Sequence, residues 1–409
     1  MKPGTKPSRT ALALGLTLAV GATARSVLPE DRAPLPLVPN LAGKVLTVEG
    51  PVDPSTLGKT LMHEHIFIEF QNPRPGARAA TAAAPAAAQP PASPASPASP
   101  TAARPFEEPI TLDNIYAARY DPRRGPRGAN FLGDFDEMYA EVMEFKKVGG
   151  GAIVDVSSIG LGRDPLALVR MSNATGLAIV MGASFYTRNY HPLDMDTRTV
   201  EQLTDVIVRD VTVGAQGTSV RSGVIGEIGI DGGPLTPNEL KVIRASARAS
   251  RITGAPMSFH AGGVDEERLT SIDTALAEGA LPQQIIMGHS GALTPNMPLV
   301  KRILEKGVYF QVDWLGVITG PAGVLGNRSD RTIAKAIVEI AAMGYADRVL
   351  LSHDICTKPQ LRKYGGTGFS YVLEHFVPEL RRQGMSEEDI RKLTVDNPRR
   401  ALAFEAPRP

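Results

Sequence analysis

Apolar and polar residues alternate along this chain in two different rhythms. Short runs rich in apolar residues read as buried strands: Leu61 to Ile68, Ala152 to Val156, Leu177 to Met181, Gly223 to Glu227, Pro256 to His260, Gln284 to His289, Val308 to Asp313 and Arg348 to Asp354. Between them apolar residues recur at helical spacing over Asp134 to Lys147, Pro165 to Ala174, Val200 to Val211, Asn238 to Ile252, Asp265 to Glu278, Pro298 to Glu305 and Thr332 to Ala342. Strands that alternate with helices build a parallel sheet covered by helices, and eight such units over about 250 to 350 residues suit a closed barrel. The expected fold class is therefore α/β, a (β/α)8 TIM barrel. Lys44 to Val52, with Gly50-Pro51 as its turn, reads as a small strand pair ahead of it. No internal repeat is evident.

Two segments break the rhythm. From Pro73 to Pro105 the chain is almost entirely Ala, Pro and Ser, too poor in apolar bulk to offset the entropy of ordering, and it predicts a disordered surface insertion just after the first strand. At the start, Lys2, Lys6 and Arg9 precede an apolar run from Ala11 to Val20 and the small residues Ala22-Thr23-Ala24, the pattern of a cleavable export signal. The apolar run is too short to span a bilayer. The expected division is a signal at 1–24, an N-terminal strand segment at 25–60, the barrel at 61–404 with its insertion at 73–105, and a tail at 405–409; the mature protein is expected to be periplasmic or secreted.

Composition narrows the partners. The 409 residues suffice for a large core, and the net charge is only +1, with Lys and Arg scattered rather than gathered into a stripe that would follow a phosphate backbone. Removal of residues 1–24 takes away three cations and no anion, leaving the mature chain slightly acidic at −2. Neither nucleic acid nor a membrane span is expected, so the partner is a small-molecule substrate; exposed helix faces could also support a homodimer. Cys356 is the one cysteine, so no internal disulfide contributes.

Chemistry concentrates at strand ends. His63 and His65, one residue apart, project to the same side of a strand while Glu64 points away. Glu227, His260, His289 and Asp354 stand at the carboxyl ends of the fourth, fifth, sixth and eighth expected strands, the face where barrel active sites gather. Four imidazoles and two carboxylates suit Zn²⁺, Mn²⁺, Fe²⁺ or Co²⁺, with Zn²⁺ foremost, and exceed what one tetrahedral ion uses. Two divalent ions are the economical reading, with Glu227 as the bridging carboxylate and a hydroxide held between the ions as nucleophile. Asp354 is the expected catalytic residue, orienting that hydroxide and accepting its proton.

The words that carry these residues are Leu-Gly-Lys-Thr-Leu-Met-His-Glu-His, Gly-Leu-Gly-Arg-Asp around Arg163, Gly-Val-Ile-Gly-Glu-Ile-Gly, Gly-His-Ser-Gly, and Ser-His-Asp followed by Tyr-Gly-Gly. On them, from about Gly43 to Phe404, the chain resembles the phosphotriesterase-related family of the amidohydrolase superfamily, in its glutamate-bridged branch. The resemblance implies a (β/α)8 barrel with one ion held by His63, His65 and Asp354, the other by His260 and His289, and the fourth strand bridging. It also implies hydrolysis of an ester, lactone, N-acyl amide or phosphotriester. Phosphotriesterases proper bridge their metals with a carboxylated lysine, where this chain has Glu227, and carry a relay histidine where this chain has Trp314, so efficient paraoxon-type hydrolysis is not expected.

Other residues have lesser claims. Arg163, Tyr186 and Arg188 follow the second and third strands, where loops can hold a substrate anion. His353 is expected to support the site from behind Asp354, His191 and His375 to be structural, and Cys356, Thr357 and Lys358 to open the eighth loop. Two rival functions remain open at this point: a mononuclear deaminase-like amidohydrolase, and a non-catalytic metal- or ligand-binding barrel.

Overall fold

In the computed structural model, Met1 and residues 34–70, 109–120, 127–231, 233–261, 265–317 and 329–408 are described. The expected signal, beyond Met1, and the 73–105 insertion lie outside them. The chain divides into two units, Met1–Pro34 and Leu35–Pro409. Met1 and Pro34 are the described residues of the first, and the second carries all the described strands and helices.

Eight strands run parallel in one sheet whose spatial order follows the chain: β1 (Lys59–Glu64), β2 (Gly150–Asp155), β3 (Ala178–Ala183), β4 (Val224–Ile230), β5 (Met257–Ala261), β6 (Ile285–Met287), β7 (Tyr309–Val312) and β8 (Val349–Leu351). The sheet closes where β8 meets β1, the Asp354 N–H donating to His63 O at 3.0 Å and the His65 N–H to Ile355 O at 3.1 Å. Helices α1 (Phe135–Lys147), α2 (Pro165–Thr175), α3 (Val200–Thr212), α4 (Pro237–Thr253), α5 (Asp265–Ala277), α6 (Met297–Leu304) and α7 (Asp330–Ile340) follow strands one to seven in alternation. Their starts are written locally: Asp134 and Asp164 cap α1 and α2, and Thr199 with Gln202 and Thr236 with Glu239 form reciprocal capping boxes on α3 and α4.

The barrel is thus as the pattern of apolar runs implied, with boundary corrections. The first expected strand ends at Glu64 rather than Ile68; Ile68–Glu69 pairs separately with Phe131–Leu132. Glu227 lies inside β4, which runs on to Ile230. In the N-terminal pair, Val45–Thr47 and Gly50–Val52, the turn falls on Val48 and Glu49, so Gly50 and Pro51 belong to the second strand. That pair covers the floor of the barrel, with the Val48 N–H donating to Ile179 O at 2.9 Å near the start of β3. The expected tail is tied down through residue 408: Glu405 N–H donates to Gly254 O and Arg408 N–H to Arg251 O.

Candidate metal centre

The carboxyl ends of the strands bring the six expected ligands together. His63 lies in β1 and His65 one residue past it; Glu227 and His260 lie in β4 and β5; His289 and Asp354 stand two and three residues beyond β6 and β8. His289 (φ 50°) and Asp354 (φ 57°) occupy the left-handed region, which side-chain-bearing residues adopt at a cost and which clusters at functional sites. Gly288 helps seat His289, since a Cβ there would lie 2.2 Å from Phe259 O on the neighbouring strand. The Gly226–Glu227 peptide is cis.

Glu227 sits at the middle of the cluster. Its Oε2 lies 2.9 Å from His63 Nε2, 2.8 Å from His260 Nδ1 and 3.6 Å from His289 Nε2, and its Oε1 lies 3.9 Å from His65 Nε2. Asp354 Oδ1 lies 3.3 Å from His65 Nε2 and 3.8 Å from His63 Nε2. His260 Nδ1 and His289 Nε2 are 2.8 Å apart. Three donor sets result, each with its ligand atoms within 4.8 Å of one another: His63, His65 and Asp354; His63, His289 and Asp313; Glu227, His260 and His289.

Electrostatics agree with this crowding. Burial opposes the charge on Glu227, but His260 and His63 outweigh it and hold its carboxyl well below the usual range. Asp354, against the same burial cost, is held down by His65 and His289. Burial depresses His65, yet Asp354 and Glu227 lift it to about 9. His63 and His289 are raised in the same way, against burial, by Glu227 and Asp313 respectively. Such a packed set of acceptors, with protons drawn in to balance it, has the donor chemistry that fits divalent cations, which would displace those protons.

A surrounding layer orients three of the four imidazoles. Asp313 Oδ1 lies 2.7 Å from His289 Nδ1 and its Oδ2 accepts from the His289 N–H at 2.9 Å, leaving Nε2 aimed at the cluster. Ser157 Oγ holds His65 Nδ1 at 2.9 Å, and Gln311 Nε2 lies 2.7 Å from His63 Nδ1. Trp314 stacks on His289 and its indole N–H donates to Asp354 Oδ2. Sequence reasoning assigned no role to Asp313, Ser157 or Gln311. Asp313 had a legible signal, since it ends the seventh expected strand as His289 ends the sixth; the other two had none, because their importance lies only in whom they touch.

The residues with lesser claims divide. Tyr186 joins the centre: its ring meets His260 edge-on at 4.9 Å, its hydroxyl lies 3.5 Å from His260 Nδ1, and burial followed by repulsion from Glu227 keeps its phenol pKa well above the ordinary value. Arg188, half exposed, pairs with Asp231 Oδ2 at 3.2 Å just past β4. Arg163 is not offered to a substrate anion. It is buried, with its guanidinium donating to Gly182 O at 2.6 Å and Asp210 Oδ2 at 2.9 Å, so it pins the loop after β2 to neighbouring elements. His353 turns away from the cluster, its Nδ1 2.7 Å from Glu64 and its Nε2 accepting from the Val372 N–H at 3.0 Å. His191 is buried and His375 lies against Tyr371. A cavity of about 550 Å³ lined by Asp330, Arg362, Tyr371, Glu374 and Arg382 contains none of the clustered donors.

A model of the phosphotriesterase family matches residues 43–402. An N-acetyltaurine hydrolase from Tetraodon nigroviridis is 33% identical over 371 residues, covering 89% of this chain and 99% of its own length. Among solved structures, a resiniferatoxin-binding protein from Rhodobacter sphaeroides superposes with a TM-score of 0.77 at 32% identity, covering 90% of this chain and 99% of that one. A lactonase from Listeria monocytogenes shares the fold, with a TM-score of 0.67 at 23% identity over 88% of this chain and 99% of that one.

Proposed function

The chain belongs to the phosphotriesterase family and is a metal-dependent hydrolase, and from that premise we propose that it cleaves N-acyl amides at a centre of two divalent ions, Zn²⁺ foremost. The observation that carries the binuclear reading is Glu227, whose carboxylate lies within 3.9 Å of His63 and His65 on one side and of His260 on the other. His63, His65 and Asp354 would hold one ion, His260 and His289 the other, with Glu227 shared. The amide reading is supported by the N-acetyltaurine hydrolase relatives, of which this chain covers nearly the whole length.

Two ions bound there supply Lewis acidity that polarises the scissile carbonyl and makes the attacking water more acidic. The chain's own residues do the rest. Asp354, buried beside His65, takes the proton of the attacking water and returns it to the leaving nitrogen. Tyr186, whose phenol keeps its proton, donates to the carbonyl oxygen as negative charge develops there. Phe70 and Tyr190 pack around Tyr186, with ring centroids at 6.4 and 5.3 Å, and extend an apolar wall beside the centre. Arg188, paired with Asp231, places a positive charge just past β4, which suits an anionic group on the amine side.

The test combines metal counting with a substrate panel. Protein loaded with Zn²⁺, Mn²⁺ or Co²⁺ is assayed on N-acetyltaurine, N-acetyl amino acids, lactones, aryl esters and paraoxon. Two ions per chain and turnover of the N-acetyl amides are expected. One tightly held ion, with Glu227→Ala leaving the content unchanged, would favour the mononuclear rival; silence on every substrate would favour a binding barrel. The leader pattern of residues 1–24 supports export, checked by an intact mass that begins at Arg25; a start within the Ala11–Val20 run would reject cleavage after Ala24.

A further inference from the structure

The partner of Asp354 on its outer side has a chemical property that bears on which bonds this centre can break. Trp314 is the chain's one tryptophan, and it follows β7 in the left-handed region, at φ 62°. Its ring stacks on His289, centroids 4.7 Å apart at 26°, while its backbone N–H donates to His353 O at 3.1 Å. These contacts aim the indole N–H at Asp354 Oδ2. An indole nitrogen donates a hydrogen bond but has no lone pair free to accept a proton. The imidazoles facing Asp354 are His63, His65 and His289. Each belongs to the ligand set, and the Nδ1 of His289 is already bonded to Asp313.

We propose that Trp314 is a positioning and specificity residue: it fixes the Asp354 carboxylate and closes the outward route for the proton that Asp354 collects, so that this proton goes back to the leaving group. The inference rests on the hydrolase reading given above and extends it to the class of bond. The balance is simple. Water adds through oxygen to the carbonyl carbon and one of its protons passes to Asp354. The tetrahedral carbon then re-forms its C=O bond, the C–N bond breaks with its electron pair going to nitrogen, and nitrogen takes the proton from Asp354. The products are the carboxylic acid and the amine, and Asp354 is again a carboxylate. An alkylamine cannot depart without that proton, whereas a nitrophenolate can. A centre that retains the proton suits poor leaving groups, and one that relays it to solvent suits activated esters and phosphotriesters.

Two substitutions separate these properties. Trp314→Phe keeps an aromatic ring against His289 and removes the N–H; Trp314→His supplies a ring that can both accept and pass on a proton. Turnover is measured on an N-acetyl alkylamine and on p-nitrophenyl acetate, with metal content and melting temperature recorded for each variant. Trp314→Phe is expected to lower kcat on the amide about 10-fold or more with little change in KM, and to affect the ester far less. Trp314→His is expected to raise the ester-to-amide ratio of kcat by a similar factor. Equal changes on both substrates, or none, would overturn the proposal while leaving amide hydrolysis standing; a wild-type protein active on the ester but inert on every amide would overturn both. A readout without turnover holds even where a variant fails to fold: adding Co²⁺ to metal-free wild-type protein quenches the emission of this single tryptophan. Unchanged emission at full Co²⁺ occupancy removes Trp314 from the centre and sinks the idea.

Discussion

An imidazole binds a cation through one nitrogen more firmly when the other is held, and at His289 that task falls to Asp313, bonded to both its Nδ1 and its backbone N–H. Asp313→Asn keeps the shape but can no longer fix the tautomer as firmly, so metal affinity is expected to fall about 10- to 100-fold, read by competition with a chromogenic chelator. The protons gathered in the metal-free cluster make a second prediction. His65 is raised from 6.5 to about 9, so its protonated form stabilises the metal-free fold below pH 6.5, and that contribution is lost as pH rises through about 9. A cation needs the same nitrogen unprotonated. Zn²⁺ added at neutral pH should therefore release protons to an indicator dye, and apparent affinity should climb as pH approaches 9. Uptake without proton release would contradict the assigned geometry. Arg163 teaches the opposite lesson about single residues: its sequence word is the same whether it binds a substrate or, as here, pairs with Asp210 inside the fold.

Between elements, the most consequential joint is the seam of the barrel. Glu64 is fully buried, and its carboxylate accepts from Ser352 Oγ at 2.7 Å, the His353 N–H at 2.9 Å and the Ile355 N–H at 2.9 Å, with His353 Nδ1 at 2.7 Å. It ties β1, which carries His63 and His65, to the segment after β8 that carries Asp354. Alternation along the strand explains the division of labour, since the histidines face the centre and the glutamate between them faces the seam. Glu64→Ala orphans this set of buried donors and is expected to cost at least about 3 kcal/mol, seen as a lowered denaturation midpoint together with weakened metal binding. Unchanged stability would mean that the seam is held by its backbone bonds alone. Strand existence and order were legible from alternating apolar runs, yet strand ends were not. Glu227 was read as ending its strand but lies within it, while Asp354 lies three residues beyond β8, because hydrogen-bond pairing with neighbours, not hydropathy, decides where a strand stops.

At the scale of the whole molecule, metal and fold are coupled. On the proposed assignment, ions held jointly by β1, β4, β5, the turn after β6 and the loop after β8 would bind the native state and not the unfolded chain. Chelation should therefore lower the melting temperature, and re-addition at about 100-fold excess over Kd should restore about 2.7 kcal/mol. A melting temperature indifferent to chelator would mean that the cluster holds no tightly bound ion. The sequence by itself determined the barrel and the six side chains that meet at its mouth, because both are written in local periodicity and in residue types that recur at strand ends. Only the tertiary structure decided that Asp313, Ser157 and Gln311 stand behind the imidazoles, that Arg163 is an internal pin, and that Trp314 grips Asp354. Those roles are contacts between residues distant in the chain, and a contact exists only once the sheet has closed.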